Sequence, residues 1–282
     1  ISVAVTGVQT CALPICVLDF FGAARPSIAD PFLPKKIEHG LIDDIRECIG
    51  CNICVSGDNT ITPIRCTQNP TMGEEWRKDW HPEKIAPKKS QAKILIVGGG
   101  PTGLEAARAL GQRGYEVHLA EASKQFGGRV TKESNLIGLG QWARVRDWRL
   151  TQIKKMPNVS LYLESQLTTQ DVFEFSADHV LIATGCNWRL DGFGRSNGMG
   201  IKGFNVSTII TPDHIMEGLI PEGPVIIFDD DYFYYGSTIA DQLSQLGKKI
   251  IYVTPDDSIA SWSANTLDYR HIQKIGRASC RE

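Results

Sequence analysis

Cys48, Cys51 and Cys54 stand two residues apart in the stretch RECIGCNIC, and Cys66 follows after eleven more. Iron–sulfur clusters need thiolates that converge on one cuboidal centre. A C-x2-C-x2-C loop supplies three of its corners, and a remote cysteine closes the fourth. Gly50 stands where such a loop must bend. Structural zinc more often takes two separated C-x2-C knuckles, and unliganded thiols need no spacing at all. The three-plus-one pattern therefore favours a [4Fe–4S] cluster on Cys48, Cys51, Cys54 and Cys66, with zinc and free thiols as the alternatives.

A second chemical motif is VGGGPTG, in which Gly98, Gly100 and Gly103 form G-x-G-x-x-G. In such a motif the first glycine permits a tight turn, the second lets the backbone approach a pyrophosphate, and the third lets helix and strand pack closely. The helix N-terminus that follows offers amide donors and a favourable dipole to phosphates. The context fits, because an apolar strand precedes the turn and Glu121 ends the next strand, eighteen residues after Gly103. That carboxylate is placed to accept from a ribose diol. The plainer alternative is a glycine-rich turn with a surface glutamate.

The elements that would position these residues form an α/β chain. Of 282 residues, 42% are hydrophobic and 22% charged, with a net charge of −2 and enough length for about two domains. No surface for nucleic acid is implied, and the apolar runs fall short of the ~18–20 residues that span a bilayer, so neither nucleic acid nor membrane is an expected partner. Residues 1–15 and 275–282 are expected to be translated sequencing-adaptor sequence: VTGVQTCALPI and IGRASCRE read back into adaptor DNA. No signal peptide is inferred from the apolar start. Cys11 and Cys280 fall in these ends and Cys16 at a junction, leaving the four clustered cysteines and an isolated Cys186. Clustered cysteines without a secretory signal favour metal over disulfides and a reducing, cytoplasmic setting. The expected divisions are 16–45, an apolar strand, a Gly-Ala-Ala-Arg-Pro turn and a short helix; 46–90, the cysteine segment and a Lys/Pro linker; 91–200, a first dinucleotide-binding domain; and 201–274, a second unit of the same kind.

With those motifs in view, the chain resembles the trimethylamine, dimethylamine and histamine dehydrogenases, iron–sulfur flavoproteins of the old-yellow-enzyme group. GAARPSIADPFLPKK, CIGCNIC, CTQNPTMGEEWRKDWHPEK and GLGQWARVRDWRLTQI carry the match. The resemblance implies that residues 16–45 are the last strand and helix of a truncated (β/α)8 barrel that bears FMN, with Ala24 and Arg25 at the FMN phosphate. It implies catalytic residues and a substrate pocket in barrel sequence outside this chain. FGGR and VLIATG resemble segments of two-dinucleotide-binding-domain flavoproteins that lie near the same nucleotide, which puts Gly128, Arg129, Thr184 and Gly185 at the first site. That site would hold ADP or FAD.

The second unit bears on the direction of electron flow. Setting ILIVGGGPTG over VIIFDDDYFY puts Asp229, Asp230 and Asp231 at the three glycines of the turn and Tyr234 at Gly103. Carboxylates there would face a pyrophosphate that needs amide donors and positive charge, so NAD(P) is not expected to bind. The amine-dehydrogenase direction follows: a small secondary or tertiary amine is oxidised at FMN, and electrons leave through the cluster to an electron-transferring flavoprotein or similar one-electron acceptor. The alternatives are an NAD(P)H-dependent dienoyl-CoA or enoate reductase running inward, and a non-catalytic, nucleotide-stapled docking module. A homodimer is left open. His81 is expected to pack or hydrogen-bond, Trp76, Trp80, Trp142 and Trp148 to be core or interface aromatics, and Cys186 to be buried.

Overall fold

The computed structural model describes residues 22–273, apart from 79, 80, 82, 201 and 204–206. The adaptor-like ends, the strand expected at residues 16–21, Cys11, Cys16, Cys280 and Trp80 lie outside the described residues.

Short helices lead in: α1 (Ala24–Ala29), α2 (Leu33–Glu38), a 3-10 turn (Ile42–Asp44) and α3 (Ile53–Asn59). Where one short helix after a turn is expected, there are two, and the Gly-Ala-Ala-Arg-Pro stretch is already helical from Ala24. Pro26 is tolerated because the amides of a first helical turn have no intrahelical partner to lose. Asp30 then ends α1. Its fully buried carboxylate accepts from the Phe32 amide at 3.0 Å, the Lys36 ammonium at 2.7 Å and the Arg46 amide at 2.8 Å.

A four-stranded parallel sheet follows, built from β1 (Lys93–Val97), α4 (Pro101–Arg113), β2 (Glu116–Ala120), α5 (Arg129–Glu133), α6 (Ala143–Lys154), β3 (Val159–Tyr162), α7 (Thr169–Phe175) and β4 (His179–Ile182). Its order is β3-β2-β1-β4. Parallel neighbours need crossovers, and the helices supply them. They also cover β1, which reads as an uninterrupted apolar run, as a strand buried on both faces should. Ile94, Ile96, Val117 and Leu119 pack against Leu104, Ala107 and Ile153 from α4 and α6, each large side chain contributing about 1.5–3 kcal/mol. Val97 pairs with Ala120 on one side and Ile182 on the other. This register brings Gly98, Glu121 and Ala183 out side by side at the carboxyl edge of the sheet, where ligands of such sheets bind.

The second unit holds α8 (Pro212–Met216), β5 (Val225–Phe228), α9 (Tyr235–Gln245) and β6 (Ile250–Val253), with β5 and β6 parallel. Ile215, Ile239 and Leu243 form its core, joined by Leu136 from the first unit. Its other sheet face exposes Ile226, Phe228, Ile251 and Val253, as strand alternation requires when only one face is covered.

Candidate functional site

The cysteine loop turns on two left-handed residues. Gly50 has φ +73° and Asn52 has φ +54°, a conformation that glycine adopts freely and asparagine tolerates. They flank Cys51, and α3 then starts at Ile53 and carries Cys54. Cys66 returns after a turn closed by the Thr62 amide on the Gly57 carbonyl at 2.9 Å. All four cysteines are unpaired and half-buried. The Gly50 amide donates to Cys48 Sγ at 3.4 Å, and Cys51 Sγ lies 3.1 Å from Thr67 Oγ1. Burial pushes the Cys54 and Cys66 thiols up, and the Cys51 and Cys48 sulfurs add to the shift while backbone amides oppose it. The sulfurs thus share one electrostatic neighbourhood in which the Arg149 guanidinium acts on Cys66, and a positively charged iron core would offset the rest of their thiolate charge.

The thiols are not drawn to one point. Among the described residues no three His, Cys, Asp or Glu side chains converge closely enough to hold a metal ion. A tetrahedral zinc with Zn–S of about 2.3 Å needs sulfurs within about 4 Å of one another. A cuboidal cluster takes its thiolates from the corners of a larger body.

At the nucleotide edge, Gly98 has φ +106°, and its Cα faces the Ala183 carbonyl so closely that a Cβ would collide with it. A Cβ on Gly103 would overlap the Gly98 carbonyl oxygen, whereas one on Gly100 would meet nothing within 4 Å. Two glycines therefore serve packing, and Gly100 faces open space. Pro101 sits at N1 of α4, directing that helix's free amides at the same space. Glu121 Oε2 accepts from the Gly99 amide at 2.7 Å, and Oε1 from the amide and hydroxyl of Ser123, both at 2.8 Å. A carboxylate offers about four acceptor positions, so one on Oε2 is left for a ligand hydroxyl.

The other expected contacts divide. Gly127 donates to the Gly99 carbonyl at 2.8 Å, and a Cβ on Gly128 would lie 3.2 Å from Gly100 Cα, so the FGG turn lies on the glycine loop. Thr184 and Gly185 continue from β4 past Gly98 and are exposed. Arg129 is engaged elsewhere: it donates to Asp213 Oδ1 at 2.9 Å and to the Cys186 carbonyl at 2.6 Å. Ala24 and Arg25 are exposed, Arg25 contacting Asn52 Oδ1.

The second turn departs from the expected alignment. Three residues, Gly98–Gly100, join β1 to α4, but six, 229–234, join β5 to α9. Counted from the helix starts, the position of Gly103 falls at Ser237 rather than Tyr234; the adjacent Gly236 is the glycine packed on the turn, where a Cβ would lie 3.1 Å from Asp229. Asp229 Oδ1 accepts from the amides of Asp231 at 3.0 Å and Tyr232 at 3.2 Å, while Oδ2 accepts from the Tyr252 hydroxyl at 2.6 Å. Asp230 accepts the Ser196 amide at 2.9 Å. The amides of this turn thus already hold an anion, supplied by the chain itself.

One smaller expectation is corrected. Cys186 is exposed, because it lies on the loop beyond the edge strand β4. Trp76 is 74% exposed, with the Arg77 guanidinium 4.7 Å above its ring, and so lies outside the core. His81 accepts the amides of Glu83 and Lys84 and stacks on Phe32. No helix among the described residues is long and apolar enough to cross a membrane.

A strand, glycine turn and helix with an acidic residue ending the next strand define a dinucleotide-binding fold, and residues 64–137 match the pyridine nucleotide-disulphide oxidoreductase family. Dimethylamine dehydrogenase of Hyphomicrobium sp. (strain x) is 40% identical over 92% of this chain and 36% of its own length. The structure of 6-hydroxypseudooxynicotine amine oxidase from Pseudomonas geniculata N1 matches 98% of this chain and 41% of that one, with 48% identity and a TM-score of 0.93. Histamine dehydrogenase from Rhizobium sp. 4-9 matches 95% and 42%, with 48% identity and a TM-score of 0.90. The chain belongs to the trimethylamine/dimethylamine/histamine dehydrogenase family, aligning with its C-terminal part. It spans about two fifths of the length of these relatives.

Proposed function

We propose that this chain is the electron-transfer and nucleotide-binding part of a larger cytoplasmic enzyme that oxidises a small secondary or tertiary amine at FMN. Cys48, Cys51, Cys54 and Cys66 would hold a [4Fe–4S] cluster, which supplies one-electron transfer between the flavin and an external acceptor such as an electron-transferring flavoprotein. The amine class rests on the relatives' names and the outward direction on Asp229. A turn whose amides already bind a carboxylate offers no cradle to a dinucleotide's pyrophosphate, so the enzyme has no hydride entry there.

The chain's own residues then have separate tasks. Gly50 and Asn52 bend the loop that presents three thiols, and the Gly50 amide and Thr67 hydroxyl lie against Cys48 and Cys51. The Gly98–Gly100 turn and the start of α4 would bind a pyrophosphate, with Glu121 on the ribose. Beyond Gly128, Arg129 is tied to Asp213, and Trp188 packs edge-on against Tyr235 at 5.4 Å. This filled corner favours a ligand that ends at its pyrophosphate, ADP, over FAD.

The test is anaerobic. The complete, cofactor-loaded enzyme is assayed for iron and acid-labile sulfide, then mixed with secondary and tertiary amines and an artificial one-electron acceptor. About four iron atoms per chain, flavin bleaching by amine and acceptor-dependent reoxidation are expected. Stoichiometric zinc, or no bleaching by any amine, would refute the reading.

A further inference from the structure

Helix α6 turns two adjacent side chains toward the cysteine segment, and both lie in a buried knot of charge. Trp148 donates its indole N–H to the Asp44 carbonyl at 3.1 Å. Its ring has the Arg46, Arg108 and Arg149 guanidiniums at 4.5, 5.5 and 5.9 Å from the centroid. Arg149, 4% exposed, donates from Nε to Glu105 Oε2 at 2.8 Å, from Nη1 to Gln68 Oε1 at 3.0 Å and from Nη2 to the Gln68 carbonyl at 3.3 Å. Gln68 is two residues past Cys66 and is itself buried. Its amide nitrogen donates at 3.1 Å to the carbonyl of Glu47, the residue before Cys48. One guanidinium therefore holds the Cys66 arm, and through Gln68 it holds the Cys48 arm as well.

Three buried guanidiniums face Glu105 and the part-exposed Glu83, and the buried Asp30, itself paired with Lys36, adds to the field on Arg46. Arg46 is fully buried, and its Nε and Nη1 have no hydrogen-bond partner. A buried cation short of acceptors is costly unless an anionic centre lies near.

We propose that Arg149 is a positioning residue of the cysteine-held centre: with Gln68 it fixes the 48–54 loop relative to Cys66, and its buried charge raises the centre's reduction potential. The proposal rests on the [4Fe–4S] reading above. Four thiolates give such a centre a net negative charge, and one electron accepted from the reduced flavin adds another. A buried cation within electrostatic reach favours that reduced form, and salt screens it little. Glu105 acts in the opposite sense.

The test is a dye-mediated redox titration of the complete enzyme with dithionite, followed by electron paramagnetic resonance of the reduced cluster, after iron has been counted. Arg149→Met is expected to shift the equilibrium about tenfold toward the oxidised form, a fall of about 59 mV for a one-electron couple. Arg149→Lys keeps the charge and loses the planar fork, so it recovers most of that shift while releasing iron faster to a chelator. Glu105→Gln should raise the potential. Wild-type enzyme without iron and sulfide refutes the cluster reading itself, whereas iron-loaded variants that all titrate with wild type overturn the role of Arg149. If Arg149→Met fails to keep its iron, Glu105→Gln decides: a rise supports the assignment, and no rise overturns it.

Discussion

The carboxylate of Glu121 accepts the amide of Gly99 at 2.7 Å, tying the end of the second strand to the turn that follows the first. The same oxygen keeps one acceptor position for a ligand hydroxyl, so Glu121 has a structural and a binding task together. Glu121→Ala removes both. ADP affinity measured calorimetrically should fall by about 1.5–3 kcal/mol, the range for a hydrogen bond to a charged group. Glu121→Gln should retain an acceptor and lose less. Equal affinity in both variants and wild type would place the ribose elsewhere.

Gly100 and Gly103 separate ligand from fold. A Cβ at Gly103 has no room beneath the Gly98 carbonyl, so Gly103→Ala should lower stability by about 1–3 kcal/mol or more, the cost of overpacking. Gly100 has φ −72° and ψ −175°, a backbone open to any residue, and nothing within 4 Å of a Cβ. Gly100→Ala should therefore melt with wild type yet bind ADP more weakly, because its methyl group enters the phosphate space. Denaturant titration beside ADP titration distinguishes the two variants.

Signals that depend on a few neighbouring residues were legible in the sequence. The glycine turn needs only a strand before it and a helix after it, and the bend at Gly50 only its own loop. What joins distant segments was not legible. The six-residue second turn looks like a three-residue one until Gly236 is seen against Asp229, because DDDYFY carries no glycine to mark the register. The pairing of Arg129 with Asp213, eighty-four residues on, has no local signal either. The Arg149–Gln68–Glu47 chain crosses eighty-one residues and then twenty-one, and polar residues of common type give no hint of it. The exposure of Cys186 has a related reason: burial depends on whether an element lies at a sheet edge or on an outer loop, which residue type does not report.

Glu105 makes stability acid-sensitive. Burial pushes its carboxyl up, but Arg108 and Arg149 together hold it below its ordinary value of 4.5. A depressed carboxyl contributes stability that is complete above the unfolded value and is lost as pH falls through the folded one. Wild type should thus lose stability steeply below about pH 4.5. Glu105→Gln should be less stable at pH 7 and show a flatter dependence through the acid range. Denaturation midpoints between pH 3 and pH 7, taken on apo-protein so that acid loss of iron does not intrude, would test this, and parallel curves would refute it.

The last prediction concerns the second turn. Asp229 takes the amides of Asp231 and Tyr232 on one oxygen and the Tyr252 hydroxyl on the other, and burial followed by the attached hydrogen bond pushes the Tyr252 phenol far up, keeping it a donor. Burial and then Asp229 push the Asp231 carboxyl up, Arg195 opposing them and Asp230 adding to them, so three carboxyl groups crowd the turn before any nucleotide arrives. A pyrophosphate entering it would displace one anion and face two more. NADPH and NADH should therefore neither bind here nor reduce the flavin of the complete enzyme, and amine turnover should form neither. Asp229→Ala leaves two part-buried amides and a phenol without their acceptor, and should cost about 1–3 kcal/mol of stability. It should still give no hydride entry, because Asp230, Asp231 and the longer loop stay in place. Anaerobic mixing with NADPH in a stopped-flow spectrometer reads the outcome directly. Rapid flavin bleaching in wild type would reverse the direction of electron flow argued above, while bleaching only in Asp229→Ala would show that this one carboxylate, rather than the reshaped turn, excludes the nucleotide.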